Sequence, residues 1–308
     1  MSLYALYQPR GPSGFGYGTT AEEVTAGLDL EGKTVLVTGC TSGLGQEALR
    51  VLTLRRARVL GTGRTLEKAA AACAAGAGRS LPLACELSDP ASVRGCVDAV
   101  KRAGLVLDAI VCNAGIMALP KLQQAHGIEL QFFTNHIGHF ILVTGLLDQL
   151  AEGGRVVMLS SAAHRRAPTE GIQLDNLSGE RGYRPWVAYG QSKLANLLFA
   201  KELARRFRGT RRTANAVHPG VIHTALGRHM SPLGNLALGL AGPLLLKSVA
   251  QGAATEVYAA VHPGAAAISG SYLADCNVAA PRKDADDPDL AARLWAASEA
   301  IVAGLPAR

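Results

Sequence analysis

Residues 37–45 read Val37-Thr38-Gly39-Cys40-Thr41-Ser42-Gly43-Leu44-Gly45. An apolar run precedes this stretch and a segment of helical period follows it, which is the pattern of a strand, a tight turn and a helix. Glycines at three positions let the backbone turn sharply and approach a pyrophosphate, whose charge then meets the unpaired N–H groups at the helix N-terminus. We therefore predict that a dinucleotide is bound by Gly39, Thr41, Ser42, Gly43, Leu44 and Gly45.

Apolar runs of strand length alternate with longer segments of helical period from residue 34 onward. The predicted strands are Thr34–Thr38, Arg58–Gly61, Ser80–Cys85, Leu107–Cys112, Arg155–Ser160 and Thr213–His218, and the predicted helices are Leu44–Arg56, Thr65–Ala75, Pro90–Ala103, Gln123–Leu150, Tyr189–Phe207 and Ser248–Val261. This alternation implies right-handed βαβ units, and continuously apolar strands imply a parallel sheet covered on both faces. The predicted fold is therefore α/β, a single Rossmann-type doubly wound parallel sheet with helices on both faces.

No break in composition divides the chain, whose 308 residues suit one large α/β domain. Residues 1–29 are rich in glycine and proline, so we expect an extended leader that ends in a short helix near Thr20–Gly27. Residues 30–308 form the predicted folded domain. Within it, residues 226–247 are predicted to form an added lobe, because the apolar run Leu233–Leu246 follows the sixth predicted strand.

Composition and charge exclude several classes of protein. Hydrophobic residues make up 48% of the chain and charged residues 18%, which excludes a disordered chain. The formal net charge is +7, and residues 160–215, with eleven basic and four acidic residues, account for it. Because no dense basic stripe with interleaved aromatic residues is present, no nucleic-acid partner is predicted. The apolar run Leu233–Leu246 is shorter than the roughly 20 residues of a membrane span, so no transmembrane segment is predicted.

The six cysteines are scattered and form no CxxC pair. In a chain of this length such cysteines are typical of reduced thiols rather than of a disulfide framework. The N-terminus also lacks the cationic and apolar regions of a secretory signal. We therefore expect a cytoplasmic location.

The end of the second predicted strand indicates which dinucleotide is bound. Sites selective for NAD place a carboxylate there to bind the ribose 2′-hydroxyl, whereas an arginine accommodates the 2′-phosphate of NADP. This chain reads Gly61-Thr62-Gly63-Arg64-Thr65, without a carboxylate. Arg64 therefore favours NADP(H), and NAD(H) is the less favoured alternative.

Tyr189 and Lys193 lie four residues apart on a predicted helix, so their side chains share one face. An ammonium beside a phenol favours the phenolate and lowers the tyrosine pKa toward neutrality, as an acid/base group requires. Ser160 and Ser161 close the preceding strand at the carboxyl edge of the sheet, where such sheets bind ligands. This arrangement predicts a catalytic site.

In these motifs the chain resembles the classical short-chain dehydrogenase/reductase family. The matching positions run from about Asp29 to Val302 and are Thr38-Gly39-x-x-x-Gly43-x-Gly45, Asn113-Ala114-Gly115, Asn135, Ser161, Tyr189-x-x-x-Lys193 and Pro219-Gly220. Within the family the chain is similar to the retinol-dehydrogenase-like and WW-domain-oxidoreductase-like branch, in stretches such as Asn135-His136-Ile137-Gly138-His139-Phe140 and Gln251-Gly252-Ala253-Ala254-Thr255.

The resemblance implies a role for each catalytic residue. Tyr189 would give or take the proton on the substrate oxygen, and Ser161, the second serine of its pair, would hydrogen-bond that oxygen. Lys193 would lower the pKa of Tyr189 and hold the nicotinamide ribose. Asn135 would anchor a water molecule of the proton relay.

The resemblance also implies further cofactor contacts, at Glu86, Leu87, Asn113, Ala114, Gly115, Pro219, Gly220, Val221, Ile222 and Thr224.

Two features of the sequence depart from the family pattern. Glu86 stands where the family usually has an aspartate for the adenine, and Ser161 and Tyr189 are 28 residues apart. The extra segment, Arg165–Trp186, is predicted to cover the site, and residues 226–247 correspond to the substrate lid.

The sequence therefore predicts an NADP(H)-dependent oxidoreductase that interconverts a ketone or aldehyde with an alcohol. Because the lid is apolar, we expect a hydrophobic substrate. Two alternatives stay open, a reductase of a conjugated C=C bond that resembles protochlorophyllide reductases, and a non-catalytic NADP(H)-sensing module. A homo-oligomer is also left open.

No metal site is predicted. His136 and His139 are three residues apart on a predicted helix, and no third ligand stands at a suitable spacing.

Overall fold

Among the residues that the structure describes, eight strands form one central sheet. The computed structural model describes residues 8–74, 79–222 and 246–306. The strands of the sheet are β1 (Thr34–Val37), β2 (Arg58–Gly63), β3 (Ser80–Ala84), β4 (Leu107–Cys112), β7 (Leu150–Leu159), β8 (Thr213–His218), β9 (Tyr272–Ala274) and β10 (Asn277–Ala279). Their order is β10-β9-β8-β7-β4-β1-β2-β3, and every neighbouring pair is parallel except β9 and β10.

Helices cover both faces of the sheet. They are α1 (Ala21–Val24), α2 (Gly43–Leu54), α3 (Leu66–Cys73), α4 (Pro90–Arg102), α5 (Leu130–Phe132), α6 (Gly138–Gly145), α7 (Pro185–Arg206), α8 (Val249–Gly252), α9 (Ala254–Val261) and α10 (Pro288–Gly304). Successive strand residues point to opposite faces, so Leu36 belongs to one core and Val35 and Val37 to another. The predicted doubly wound fold is thereby confirmed.

The region predicted as one helix over Gln123–Leu150 is more varied. It begins with a two-stranded hairpin, β5 (Gln124–Ala125) and β6 (Ile128–Glu129), whose turn residues His126 and Gly127 have positive φ. A π-helical segment, Phe133–Ile137, then separates α5 from α6. The prediction of one long helix was wrong because Gly127 favours a left-handed turn, which interrupts helical structure there.

Other differences lie at element ends and near the C-terminus. The strand predicted from Arg155 already begins at Leu150, with a shift in its pairing to β4 between Leu107 and Ala109. The predicted helix Ser248–Val261 is divided into α8 and α9. Strands β9 and β10 and helix α10 were not predicted, although Asp287 caps α10 and Pro288 stands in its first turn, a common start signal.

The described part of the leader, residues 8–29, packs against the C-terminal part of the fold. Phe15 makes edge-to-face contacts with Tyr258 and His262, with ring centroids 5.8 and 5.3 Å apart. The Ser13 N–H donates to Asn277 Oδ1 at 3.0 Å. The short helix expected near Thr20–Gly27 is α1, which opens with a capping box between Thr20 and Glu23.

Part of the predicted lid lies outside the described residues, namely 226–245, and with it most of the apolar run Leu233–Leu246. The positions on either side of that gap pair with each other, Ile222 with Lys247. Within the described ranges, no helix combines the length and apolar character needed to cross a membrane.

Candidate active site

The glycine-rich turn between β1 and α2 has the geometry that a pyrophosphate needs. Gly39 and Gly43 have φ of 73° and 61°, a region that favours glycine. Around Gly43 the described atoms leave open space, and a Cβ at Gly45 would lie 2.4 Å from the Gly39 carbonyl oxygen. Ser42, at the N-cap of α2, forms no side-chain cap hydrogen bond in the described structure, which leaves the first-turn amides to another acceptor. The predicted residues of this turn therefore fit a dinucleotide.

Asn113 and Ala114, which follow β4, tie a second loop to the glycine-rich turn. Asn113 Nδ2 donates to the Thr38 carbonyl at 2.8 Å, and the Ala114 N–H donates to Thr38 Oγ1 at 3.0 Å. At Gly115 a Cβ would lie 3.0 Å from Asn135 Oδ1 and 3.4 Å from Lys193 Nζ. Glycine at this position therefore keeps space beside two predicted catalytic residues.

Arg64 and Glu86, which the sequence predicts to contact the cofactor, lie just beyond the ends of the neighbouring strands β2 and β3. The Arg64 side chain is 68% exposed, and its Nε is 3.6 Å from Glu86 Oε2. The other carboxylate oxygen of Glu86 accepts hydrogen bonds from the Ser88 N–H and hydroxyl at 3.1 and 2.9 Å. Such an exposed pair contributes little to stability, so Arg64 is available to another anion. Leu87 is buried and packs against Gly138.

Tyr189 and Lys193 lie on one face of α7, as the sequence predicts. Lys193 Nζ is 5.7 Å from the centroid of the Tyr189 ring and donates to the Leu159 carbonyl at 2.9 Å. The Ser161 side chain hydrogen-bonds the Tyr189 phenol. By contrast, the Ser160 hydroxyl is buried and donates to the Lys193 carbonyl at 2.8 Å. The structure thus brings Ser161, Tyr189 and Lys193 together at the carboxyl edge of the sheet.

The pKa values of this group differ from the expectation. Burial raises the pKa of Tyr189 to about 12, and the hydrogen bond from Ser161 opposes this shift. Burial lowers the pKa of Lys193 to about 8. In the protein alone, burial therefore sets the pKa of Tyr189, and the predicted lowering of this pKa toward neutrality by Lys193 is wrong.

Asn135 lies in the π-helical segment, a feature that often marks functional sites. Its Oδ1 accepts from the Ile116 N–H at 2.8 Å, and its Nδ2 donates to the Ile116 carbonyl and to Ser192 Oγ, both at 2.9 Å. The side chain therefore fixes the loop after β4 against α7. The carbonyl of Asn135 accepts from His139 Nδ1 at 2.9 Å.

The loop after β8 reaches the glycine-rich turn through apolar contact. A Cβ at Gly252 would lie 2.7 Å from both Ile222 Cδ1 and Leu44 Cδ2, so these side chains converge on that glycine. Val221 is 46% exposed. Pro219, Gly220, Val221 and Ile222 are thus held beside the predicted cofactor turn, whereas Thr224 lies outside the described residues.

Comparison with known proteins agrees with this arrangement. The family model described as short chain dehydrogenase matches residues 33–232. The chain belongs to the short-chain dehydrogenase family. It is 41% identical to short-chain dehydrogenase TIC 32 A, chloroplastic, from Brassica napus, over 99% of this chain and 100% of the relative. It is 35% identical to human retinol dehydrogenase 14, over 89% of this chain and 87% of the relative. The predicted retinol-dehydrogenase-like resemblance is thereby confirmed.

Two solved structures show the same short-chain dehydrogenase fold. A crystal structure of an uncharacterised protein from Mycobacterium paratuberculosis has a TM-score of 0.75 and 34% identity, and the match covers 93% of this chain and 98% of that one. A short-chain dehydrogenase from Burkholderia cenocepacia in complex with NADP has a TM-score of 0.64 and 26% identity, covering 80% and 96%. Membership of this oxidoreductase family supports an enzyme with a nicotinamide cofactor. The cytoplasmic location stays a prediction, since one relative is named as chloroplastic.

His139, for which no metal site was predicted from the sequence, lies between the cofactor turn and Asn135 in the structure. It is fully buried, with Nδ1 donating to the Asn135 carbonyl and Nε2 accepting from Thr38 Oγ1 at 2.9 Å. Burial lowers its pKa to about 4, so the ring is neutral at pH 7. His136 instead bonds Ser298 Oγ at 2.8 Å. His139 stands four residues after Asn135 in a predicted helix, and this spacing was the sequence signal that could have placed the two residues together.

Substitution of His139 should separate cofactor affinity from turnover. A His139→Phe variant removes both hydrogen bonds. The Asn135 carbonyl loses the ring donor, whereas Thr38 Oγ1 keeps its bond from the Ala114 N–H, and a lost partner at a buried polar group costs about 1–3 kcal/mol. We therefore expect about tenfold weaker binding of NADPH, measured by fluorescence titration, and about tenfold lower kcat. His139→Asn, whose amide can still donate to the Asn135 carbonyl, should recover kcat but not affinity. His136→Phe, the matched control, should lower only the unfolding temperature. Equal kcat values for the two His139 variants would show that the hydrogen bond from His139 to the Asn135 carbonyl does not support turnover.

Proposed function

We propose that the protein is an NADP(H)-dependent oxidoreductase that interconverts a ketone or aldehyde with an alcohol. The observation that carries the proposal is the group formed by Ser161, Tyr189 and Lys193 at the carboxyl edge of the sheet. The cofactor turn lies along the same edge, so a substrate that contacts Tyr189 also lies near a bound dinucleotide.

The chain's own residues would handle the proton of the reaction. A bound nicotinamide supplies or accepts the hydride. Tyr189, whose pKa of about 12 keeps it protonated at pH 7, can donate its phenolic proton to the carbonyl oxygen during reduction. The Ser161 hydroxyl, hydrogen-bonded to the same phenol, can hold that oxygen in line. The ammonium of Lys193, beside the ring, would stabilise the phenolate that forms and hold the nicotinamide ribose.

The cofactor and the substrate class have separate support. Arg64 directly follows β2, and no carboxylate stands at that position, which favours a 2′-phosphate; the Burkholderia relative binds NADP. One relative is named retinol dehydrogenase 14, and retinol is an apolar alcohol. The apolar composition of Leu233–Leu246 supports a hydrophobic substrate for this chain as well.

An absorbance assay at the nicotinamide band tests the proposal. NADPH and NADH are compared against aromatic, steroidal, retinoid and aliphatic carbonyls and one enone, with product analysis. We expect NADPH oxidation and an alcohol product. Arg64→Ser should lose about tenfold or more of the preference for NADPH, because it removes charged hydrogen bonds to the 2′-phosphate.

Other outcomes of this assay identify the alternatives. A saturated ketone formed from the enone would indicate C=C reduction. Tight NADPH binding without turnover on any carbonyl would indicate a sensing module. An unchanged preference in Arg64→Ser would contradict the role of Arg64.

A further inference from the structure

Trp186 is an exposed aromatic residue next to the catalytic tyrosine. It lies in the first turn of α7, three residues before Tyr189, and its ring centroid is 6.1 Å from that of Tyr189 in an edge-to-face arrangement. The residue is 40% exposed. A large apolar surface at this position is available to the part of a substrate that extends away from the reacting oxygen.

Arg166 stacks on this tryptophan. Its guanidinium carbon is 5.1 Å from the centroid of the Trp186 ring. The segment that carries Arg166 rests directly on α7, because a Cβ at Gly190 would lie 2.6 Å from the Ala163 carbonyl oxygen and 2.8 Å from the Ala167 N–H nitrogen. The arginine is therefore held near the helix that carries Tyr189 rather than on a distant loop.

Two arginines near Arg166 have guanidinium groups that are hydrogen-bonded to backbone carbonyls. Arg165 donates to the Ala280 carbonyl at 2.6 Å, and Arg282 donates to the carbonyls of Ala167 and Pro168. Among the described residues, no carboxylate forms an ion pair with Arg166 and no acceptor takes its hydrogen bonds. An arginine stacked on an aromatic face still presents its N–H groups at the edge, where they can bind a carboxylate with two hydrogen bonds.

We propose that Arg166 and Trp186 form a subsite for a carboxylate carried by an apolar carbonyl substrate. This inference rests on the proposed function and specifies its substrate class. The apolar part of the substrate packs on Trp186, its carboxylate binds Arg166, and its carbonyl oxygen lies at Tyr189. The centroid of the Trp186 ring is 5.1 Å from the guanidinium carbon of Arg166 and 6.1 Å from the centroid of the Tyr189 ring. A substrate with a short linker between its carboxylate and its carbonyl group can therefore contact both Arg166 and Tyr189.

The test compares acids with their uncharged esters. The probes are ω-benzoylalkanoic acids with two to five methylene groups and their methyl esters, with saturating NADPH at pH 7. At the chain length that fits, we expect the wild-type kcat/KM for the acid to exceed that for the ester by about tenfold or more, as for a hydrogen bond to a charged group. The ratio should fall to about one in Arg166→Gln and be partly kept in Arg166→Lys, which retains only a point charge.

Arg165→Gln is the matched control, since it removes the same charge one residue away and should keep the wild-type ratio. Raising the salt concentration should also lower the ratio in the wild type, which tests the charge without any substitution. If the esters are reduced but no acid is preferred at any chain length, the subsite is refuted and the proposed function stands. If neither the acids nor the esters are reduced although another carbonyl of the assay panel is, this inference fails and the proposed function stands. If no carbonyl compound is reduced in either assay, the proposed function fails, and this inference fails with it.

Discussion

Tyr189→Phe is expected to lower kcat about a thousandfold, the middle of the range for loss of a general acid. The substitution removes only the phenolic oxygen that hydrogen-bonds Ser161, while the ring can keep its contacts with Trp186 and Lys193. Binding of NADPH should therefore change little. Single-turnover absorbance measurements with a carbonyl substrate, together with a fluorescence titration of NADPH, test both parts.

Tyr183→Phe provides a matched control for this variant. The Tyr183 hydroxyl donates to the Leu119 carbonyl at 2.6 Å and accepts from Gln131 Nε2 at 3.0 Å, outside the Ser161–Tyr189 group. Its loss should lower the unfolding temperature and leave kcat within a fewfold of the wild type. A Tyr189→Phe enzyme with nearly wild-type turnover would mean that the proton comes from another group.

Glu256→Gln is expected to change how stability depends on pH. Glu256 is buried in α9, and neither of its carboxylate oxygens has a hydrogen-bond partner among the described residues. Burial raises its pKa from 4.5 to about 8, so the folded protein holds this proton more tightly than the unfolded chain does. The resulting stabilisation is fully present below about pH 4.5 and is lost as the pH rises through about 8.

At about 1.4 kcal/mol per pKa unit, Glu256 accounts for a fall in the free energy of unfolding of roughly 4 kcal/mol between pH 5 and pH 8. Urea denaturation at pH 5 and pH 8 should show that fall in the wild type and a correspondingly smaller one in Glu256→Gln. Glu256→Asp, which keeps a carboxyl group at the same site, should keep most of the pH dependence. Identical pH profiles for the wild type and Glu256→Gln would show that Glu256 is not protonated in the folded protein.

Local patterns in the sequence were sufficient for much of the fold. The first four strands and the helix that carries Tyr189 and Lys193 depend on apolar runs and on four-residue spacing, which are properties of neighbouring residues. The hairpin at residues 124–129 was missed although Gly127 marked its turn. Strands β9 and β10 were missed because three-residue strands carry too little pattern to be distinguished from loops.

The contacts of the candidate site depend more on distant parts of the chain. The hydrogen bond between Thr38 and His139 joins residues 101 positions apart in the sequence, and the ion pair between Arg64 and Glu86 joins residues that follow neighbouring strands. No spacing rule predicts such meetings. The pKa of Tyr189 likewise depends on how deeply the folded protein buries it, which a lysine four residues away does not reveal.

The two edges of the sheet determine how copies of this chain could associate. On β3, the Cys85 N–H donates inward to the Gly63 carbonyl of β2, so by alternation Pro82 occupies an outward position, where it supplies no donor. On the opposite edge, β10 has only three residues, and the leader residue Ser13 bonds its Asn277. Both ends of the sheet are thus poor templates for a further strand. Among the described residues, therefore, neither edge of the sheet favours strand pairing between copies of the chain.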